Sequence, residues 1–414
     1  MTGKRQTAAG LPAQTLERLR APANAAVEAG DVPGVVTLAW QGGEILDLHT
    51  AGMADIEAKR PMERSTIFRI ASMTKPVTVA CALTLVEEGR MRLEDPITRW
   101  APEFADMRVL NEPDGPLDDT HPAPRAITIE DLMTHRSGLT SYIGLAAGPL
   151  AKASEKLGNG IDSPLSPDEW LAALASLPLA YAPGEHFYYG FSMDLLGLIV
   201  SRAAKTGFRQ AMRDRVFGPL GMNDTDFWIS PDKRERAAVP YDAGAALADF
   251  TLSHPSAFIG EAPQAFASGG QGLASTADDY LTFARMLLGG GEVDGVRLLK
   301  PETVRLMTTN RLTDAQRAIP FLGMPFWAGQ GHGLGLSVIT NSEKRAWMGA
   351  GSNGAFGWPG AYGGWWQADP LRELILIWLV QAMPPEPTPD SMPRMPGLPA
   401  RVEFQNQTYA ALNS

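Results

Sequence analysis

The chain is 414 residues long, 44% hydrophobic, 20% charged and 8% aromatic, with a formal charge of −10. The composition is that of a globular protein, and the length exceeds what one core usually supports, so two domains are expected. An acidic balance with no basic run argues against a nucleic-acid partner. A single cysteine, Cys81, excludes an internal disulfide.

Residues 13–30 have the spacing of an amphipathic helix, and "PGVVTLAWQGGEILDLHTAG" (33–52) reads as two strands joined at Gly42-Gly43. The first 30 residues lack an apolar core followed by a small-residue cleavage site, and no 18-residue apolar run occurs, so a cytoplasmic protein that does not enter a membrane is expected. Next comes "IFRIASMTKPVTVACALTLVEEGR" (67–90). Pro76 suits a first helical turn, Val79, Leu83 and Val86 repeat at helical spacing, and Gly89 ends the pattern. Ala80, Cys81, Ala82 and Leu85 are apolar or small too, which predicts a helix buried on most sides and a Cys81 that merely packs.

The mouth of this helix holds Ser72 and Lys75 one turn apart. Burial and the positive end of the helix dipole both disfavour a charged lysine, which is how a lysine becomes a base able to activate a hydroxyl. The competing reading is a capping serine with a lysine that reaches to water. S-x-x-K is a cheap pattern and occurs a second time, at Ser230-Pro231-Asp232-Lys233. There it precedes a charged run and reads as a solvated turn or helix start.

From about residue 92 to 260 the chain is loops and helices with few convincing strands. Strand-like segments return at 331–340, 361–370 and 373–381, and a helix is expected near 403–412. Strands at both ends around a helical middle predict an α/β fold in which residues 1–91 and 261–414 form one domain and residues 92–260 a mostly helical second one. The Ser72 helix would lie at the seam, where clefts form. No repeat of 20–50 residues is evident.

An S-x-x-K nucleophile needs a third group to relay its proton. "GEHFYYGFSMDLLGLIVSRAAKTG" (184–207) offers Tyr188 and Tyr189 ahead of Ser192, a plausible N-cap, and a stripe of Leu195, Leu196, Ile199 and Val200. On residue chemistry alone, either tyrosine suits core packing better than catalysis.

"RIASMTKPVT", "DLMTHRSGL", "YYGFSMDLLG" and "GGQGLASTADDYLTFARMLL", in this order, resemble the serine β-lactamase and penicillin-recognising superfamily, and within it the family VIII carboxylesterases. The resemblance runs from about residue 13 to the end. It implies a β-lactamase-like fold, an antiparallel sheet flanked by helices plus an all-helical second domain, with the site between them. It places the nucleophile on Ser72 and its partner on Lys75. The frame Y-x-x-S-x-D-x-L-G fits Tyr189, Ser192, Asp194 and Gly197, so Tyr189 rather than Tyr188 is the third catalytic residue. Phe191 stands where β-lactamases carry the asparagine of Y-x-N, beside the substrate. The third motif, K-T-G, has a literal match at Lys205-Thr206-Gly207 that reads instead as a helix end. Trp358-Pro359-Gly360 resembles the W-x-G that replaces K-T-G in these esterases. Gly360 and Ala361 would then let a strand approach substrate, with the N–H groups of Ala361 and Ser72 as oxyanion donors and Trp365 and Trp366 close by.

No G-x-S-x-G, H-E-x-x-H or phosphate loop occurs, and His135 in "LMTHRSGL" reads as a packing residue at the seam. The expectation is a serine hydrolase of small carboxylic esters, acting through an acyl-Ser72 intermediate with no metal and no cofactor. A β-lactamase, a D-amino peptidase, an amide hydrolase, an acyltransferase or a catalytically dead ligand-recognition module are the alternatives. The sequence carries no signal of oligomeric state.

Overall fold

A computed structural model of the chain describes residues 11–141, 146–158, 163–243, 250–252, 262–384 and 395–413. The first ten residues of the segment read for a leader, and the expected domain boundary at 260/261, lie outside the described residues.

The elements that matter for the site are, in chain order, α1 (Ala13–Glu28), β1 (Gly34–Gln41), β2 (Glu44–Asp55), β3 (Arg60–Pro61), α2 (Thr74–Glu87), α3 (Ser192–Ala204), α4 (Ala277–Leu288), β4 (Gln330–His332), β5 (Ser337–Ile339), β6 (Phe356–Pro359), β7 (Trp365–Asp369), β8 (Leu374–Val380) and α5 (Leu398–Ala411). The eight strands make one sheet of order β4-β5-β6-β7-β8-β1-β2-β3 with every neighbour antiparallel. The first and last strands of this sheet in chain order thus meet near its centre, Val36 opposite Leu379 and Leu38 opposite Ile377. β1 turns into β2 at Gly42 and Gly43, whose φ values of 57° and 109° suit glycine. The segment 331–340, expected as one strand, is two, because Gly333 and Gly335 fold it back between β4 and β5.

β8 reads LILIWLV without alternation, and the structure shows why. Ile375, Ile377 and Leu379 face a core shared with α2 and α4, while Leu374, Leu376, Trp378 and Val380 face a second core with α1 and α5. A strand covered on both faces has no polar side to show. Burying each of those aliphatic side chains contributes about 2 kcal/mol.

The main core continues from the sheet through α2 into the helical middle of the chain, including Trp170, Leu171, Leu195 and Ile199. That middle is mostly helical, with two short additions, the ribbon of 108–110 with 120–122 and the paired strands 241–243 and 250–252. We propose the division at 92 and 260 as the domain organisation, since no strand of the eight-stranded sheet comes from between them. No helix among the described residues is long and apolar enough to cross a membrane.

Candidate active site

Ser72 lies in a 3-10 turn, Ala71–Met73, that runs directly into α2. The turn is fastened from outside. Ile70 N–H donates to Leu273 O (3.0 Å), Leu273 N–H to Thr74 Oγ1 (3.1 Å), and Tyr280 OH to Met73 O (2.9 Å). Ala71 holds a left-handed φ of 44°, a conformation that costs a non-glycine residue energy and is retained where surroundings enforce it. Ser72 does not cap the helix, since no side-chain cap bond is made and Met73 occupies that position. The capping reading is thereby excluded, and Ser72 remains partly open to solvent.

Lys75 has no exposed surface. Its ammonium donates to Ser72 Oγ at 3.0 Å and to Gly270 O at 2.7 Å, and lies 4.4 Å from the centre of the Tyr189 ring. Burial pulls its proton affinity down to about 7, opposed by the charge of Asp194. The Gly270 carbonyl arrives on a glycine pair that passes between two helices. A Cβ on Gly269 would stand 2.3 Å from Met193 O, and one on Gly270 2.7 Å from Asp194 Oδ2. "ASGGQG" is therefore a close-packing segment that delivers an acceptor to the lysine.

Tyr189 is also buried. Its hydroxyl accepts from Trp358 Nε1 at 3.2 Å and is hydrogen-bonded with Ser72; burial nonetheless holds it protonated, raising it well above the usual phenol range. Tyr188 turns the other way, onto Tyr181 with ring centres 5.1 Å apart. Ser192, read as an N-cap, makes no cap bond and instead pairs with Ser137 Oγ at 2.8 Å.

The third-motif residues sit close by. Trp358, on β6, is 2% exposed and joins an aromatic cluster with Tyr189, Phe321, Phe326 and Trp327. Gly360 follows the strand end, and its role differs from the expected one. A Cβ there would meet Ile70 O at 2.5 Å, so its smallness lets the strand end approach the Ser72 turn rather than a substrate. Ala361 occupies the turn after Gly360; neither its N–H nor that of Ser72 donates to an acceptor among the described residues.

Three expectations are corrected, and a fourth, for His135, is sharpened. Phe191 is 1% exposed and edge-on to Trp170 (5.4 Å) in the main core, which makes it a packing residue rather than a wall of the site. Trp366 packs on Tyr280 and Phe283, and Trp365 lies in the α1/α5 core under Arg401, so neither lines the site. Lys205, and not the glycine after it, takes the left-handed φ (60°) that ends α3, while Gly207 precedes the next helix. His135 does pack at the seam, but against the site itself, 4.4 Å from the Tyr189 ring and 5.7 Å from His332. Burial pushes both imidazoles far toward the neutral form, His332 to about 3.

Sequence reasoning used Asp194 only as part of a frame. In the structure it is fully buried behind Lys75, with Oδ1 accepting from Ser268 Oγ and from Gly270 N–H (3.2 Å). A charged residue inside the apolar stripe of α3 was the available signal. The aromatic residues of 321–327 left none, because nothing local says that they reach Tyr189.

The family model described as Beta-lactamase matches residues 16–395. The chain is 50% identical over 395 residues to Protein Rv1367c of Mycobacterium tuberculosis, covering 93% of this chain and 96% of that one. It is 34% identical over 397 residues to Esterase EstB of Burkholderia gladioli, covering 90% and 92%. Among solved structures, "EstCE1, a hydrolase with promiscuous acyltransferase activity" superposes with a TM-score of 0.78 at 26% identity, over 96% of this chain and 99% of that one. The chain belongs to the beta-lactamase family, within the penicillin-recognising serine hydrolases that include the family VIII esterases.

Proposed function

We propose that the chain is a carboxylesterase acting on small-molecule esters through an acyl-Ser72 intermediate. The observation that carries this reading is a lysine with no exposed surface, its nitrogen 3.0 Å from the oxygen of a serine partly open to solvent. Burial favours the neutral amine, which takes the Ser72 proton as Oγ attacks the ester carbonyl. The oxyanion would lie between the N–H groups of Ser72 and Ala361. Tyr189, kept protonated and facing Ser72, gives its proton to the departing alkoxide and is reprotonated from Lys75. Water, deprotonated by the same pair, then attacks the acyl-enzyme and releases the acid. The two groups exchange one proton within a single cluster and titrate as a unit. If an alcohol replaces water in the second half, the same intermediate gives acyl transfer.

Trp358 supports an ester over a β-lactam. The family's lysine at this motif would pair with an antibiotic's carboxylate, whereas the Trp358 indole N–H is already donated to Tyr189. A buried, unpartnered carboxylate is costly, and an uncharged ester has none. On one preparation, kcat/KM for a short p-nitrophenyl ester should exceed that for nitrocefin by about 10²-fold or more. Comparable values would make the chain a β-lactamase instead.

A further inference from the structure

Above Tyr189 and Trp358 lies a stretch, residues 318–330, that contains no charged side chain. Phe321 and Met324 exchange backbone hydrogen bonds (3.0 and 3.1 Å), closing a two-residue turn at Leu322-Gly323. Both central residues have positive φ, 51° and 70°. Such turns ordinarily carry Asn, Asp or Gly at these positions. A leucine there is strained, and strain retained at one position motivates a search for what it serves. What this one achieves is the display of an apolar side chain at the tip. Leu322 is 37% exposed, as is Met324, and Ile319 is 40% exposed.

The inner face of the same turn is built into the site. The Phe321 ring lies 5.5 Å from Tyr189 and 5.2 Å from Phe326, which in turn lies 5.9 Å from Trp358. Buried rings in contact thus link the proposed proton donor to an exposed apolar tip. A charged or strongly hydrated substrate arm would lose water there and gain no partner, while a hydrocarbon arm would cover surface that otherwise faces solvent.

We infer that residues 318–327 form an apolar lip receiving the hydrocarbon or aromatic arm of the ester, with Leu322 and Met324 as its selecting side chains; this rests on the carboxylesterase reading. The test compares p-nitrophenyl acetate with p-nitrophenyl octanoate on the full chain and on Leu322→Asn, Met324→Ser and their double variant. Asn suits the left-handed turn position, so Leu322→Asn should fold with an equal or higher Tm. The kcat/KM ratio of octanoate to acetate should exceed one in the parent and fall about tenfold in the double variant. If acetate is hydrolysed but the ratio stays within twofold of the parent's, the lip is overturned and the esterase reading stands. If neither ester is hydrolysed, the esterase reading fails and takes the lip with it. Loss of sedimentation with phosphatidylcholine vesicles in the variants, with an unmoved ratio, would assign these side chains to a lipid surface and also overturn the proposal.

Discussion

The chain contains the same four-residue pattern twice, and the two copies end in opposite surroundings. Lys75 has no exposed surface, donates to Ser72 and to Gly270 O, and lies 4.4 Å from the centre of the Tyr189 ring. Lys233 is about a third exposed and pairs with Asp224 at 2.9 Å, with Arg236 on the same carboxylate. Ser230 begins the 3-10 helix that carries Lys233, and the two are joined through the backbone, Lys233 N–H donating to Ser230 O at 2.9 Å, while the Lys233 ammonium turns to Asp224. The carboxylates behind the two lysines diverge as well. Arg236 and Lys233 hold Asp224 down to about 2, whereas burial raises Asp194 above its ordinary range. Spacing is therefore not what makes a serine reactive here. What differs is burial: Lys233 faces solvent and an acidic partner, whereas Lys75 has been taken out of water altogether.

The contrast breaks most easily at the two serines. Ser72→Ala should lower kcat/KM for a p-nitrophenyl ester by on the order of 10⁴-fold or more, and should abolish labelling by an organophosphonate. Ser230→Ala and Lys233→Met should leave turnover within about twofold, the latter losing about 1 kcal/mol of stability, since the ion pair is partly solvated and Arg236 still holds Asp224. A labelled peptide containing Ser230 would reverse the assignment.

A second contrast is between adjacent tyrosines. Tyr189→Phe removes the hydroxyl held by Trp358 and facing Ser72, and should lower kcat on the order of 10²-fold or more. Tyr188→Phe alters a ring that packs on Tyr181 and should have a mild effect. The measurement is kcat for the two variants under saturating ester, and the opposite ranking would mean that the frame through Ser192 and Asp194 had been set one residue off.

How far the site was legible depends on how local each signal was. Ser72 and Lys75 share one helix mouth, and the apolar run around them announced its own burial. β1, β2, β7 and β8 were legible for the same reason, since Gly42-Gly43 and the run at 374–380 carry their meaning within a few residues. Only resemblance to a family separates Tyr189 from Tyr188 in the sequence, because both are aromatic residues next to one another and tertiary contacts alone distinguish them. The Gly270 carbonyl, 195 residues beyond Lys75, had no local mark. For Phe191 and Gly360 the family resemblance implies substrate contacts, whereas the structure packs them against Trp170 and against Ile70 O. Helix ends were the least legible, as at Ser192 and Lys205, because capping is settled by a single side-chain bond or one dihedral angle.

The finest distinction between the two lysines is the effect of the carboxylate behind each. Asp194 touches neither Ser72 nor the proposed substrate position, and would act through Lys75 as a positioning residue. The titratable groups facing Lys75 are Tyr189, Asp194 and, more distantly, His135 and His332, and burial keeps the tyrosine and both histidines uncharged. That leaves Asp194 as the counter-charge. Burial lowers the proton affinity of Lys75 while Asp194 raises it, so removing the charge lets Lys75 shed its proton at lower pH. If neutral Lys75 is the active form, kcat/KM rises with pH through a midpoint near 7, and in Asp194→Asn this acid limb should move to lower pH. The amide oxygen of that variant would keep an acceptor for Ser268 and for Gly270 N–H, so the substitution changes charge more than shape. A fall in amplitude with an unmoved midpoint would mean that Asp194 is a neutral anchor for the Gly269-Gly270 segment, and that burial alone sets the lysine.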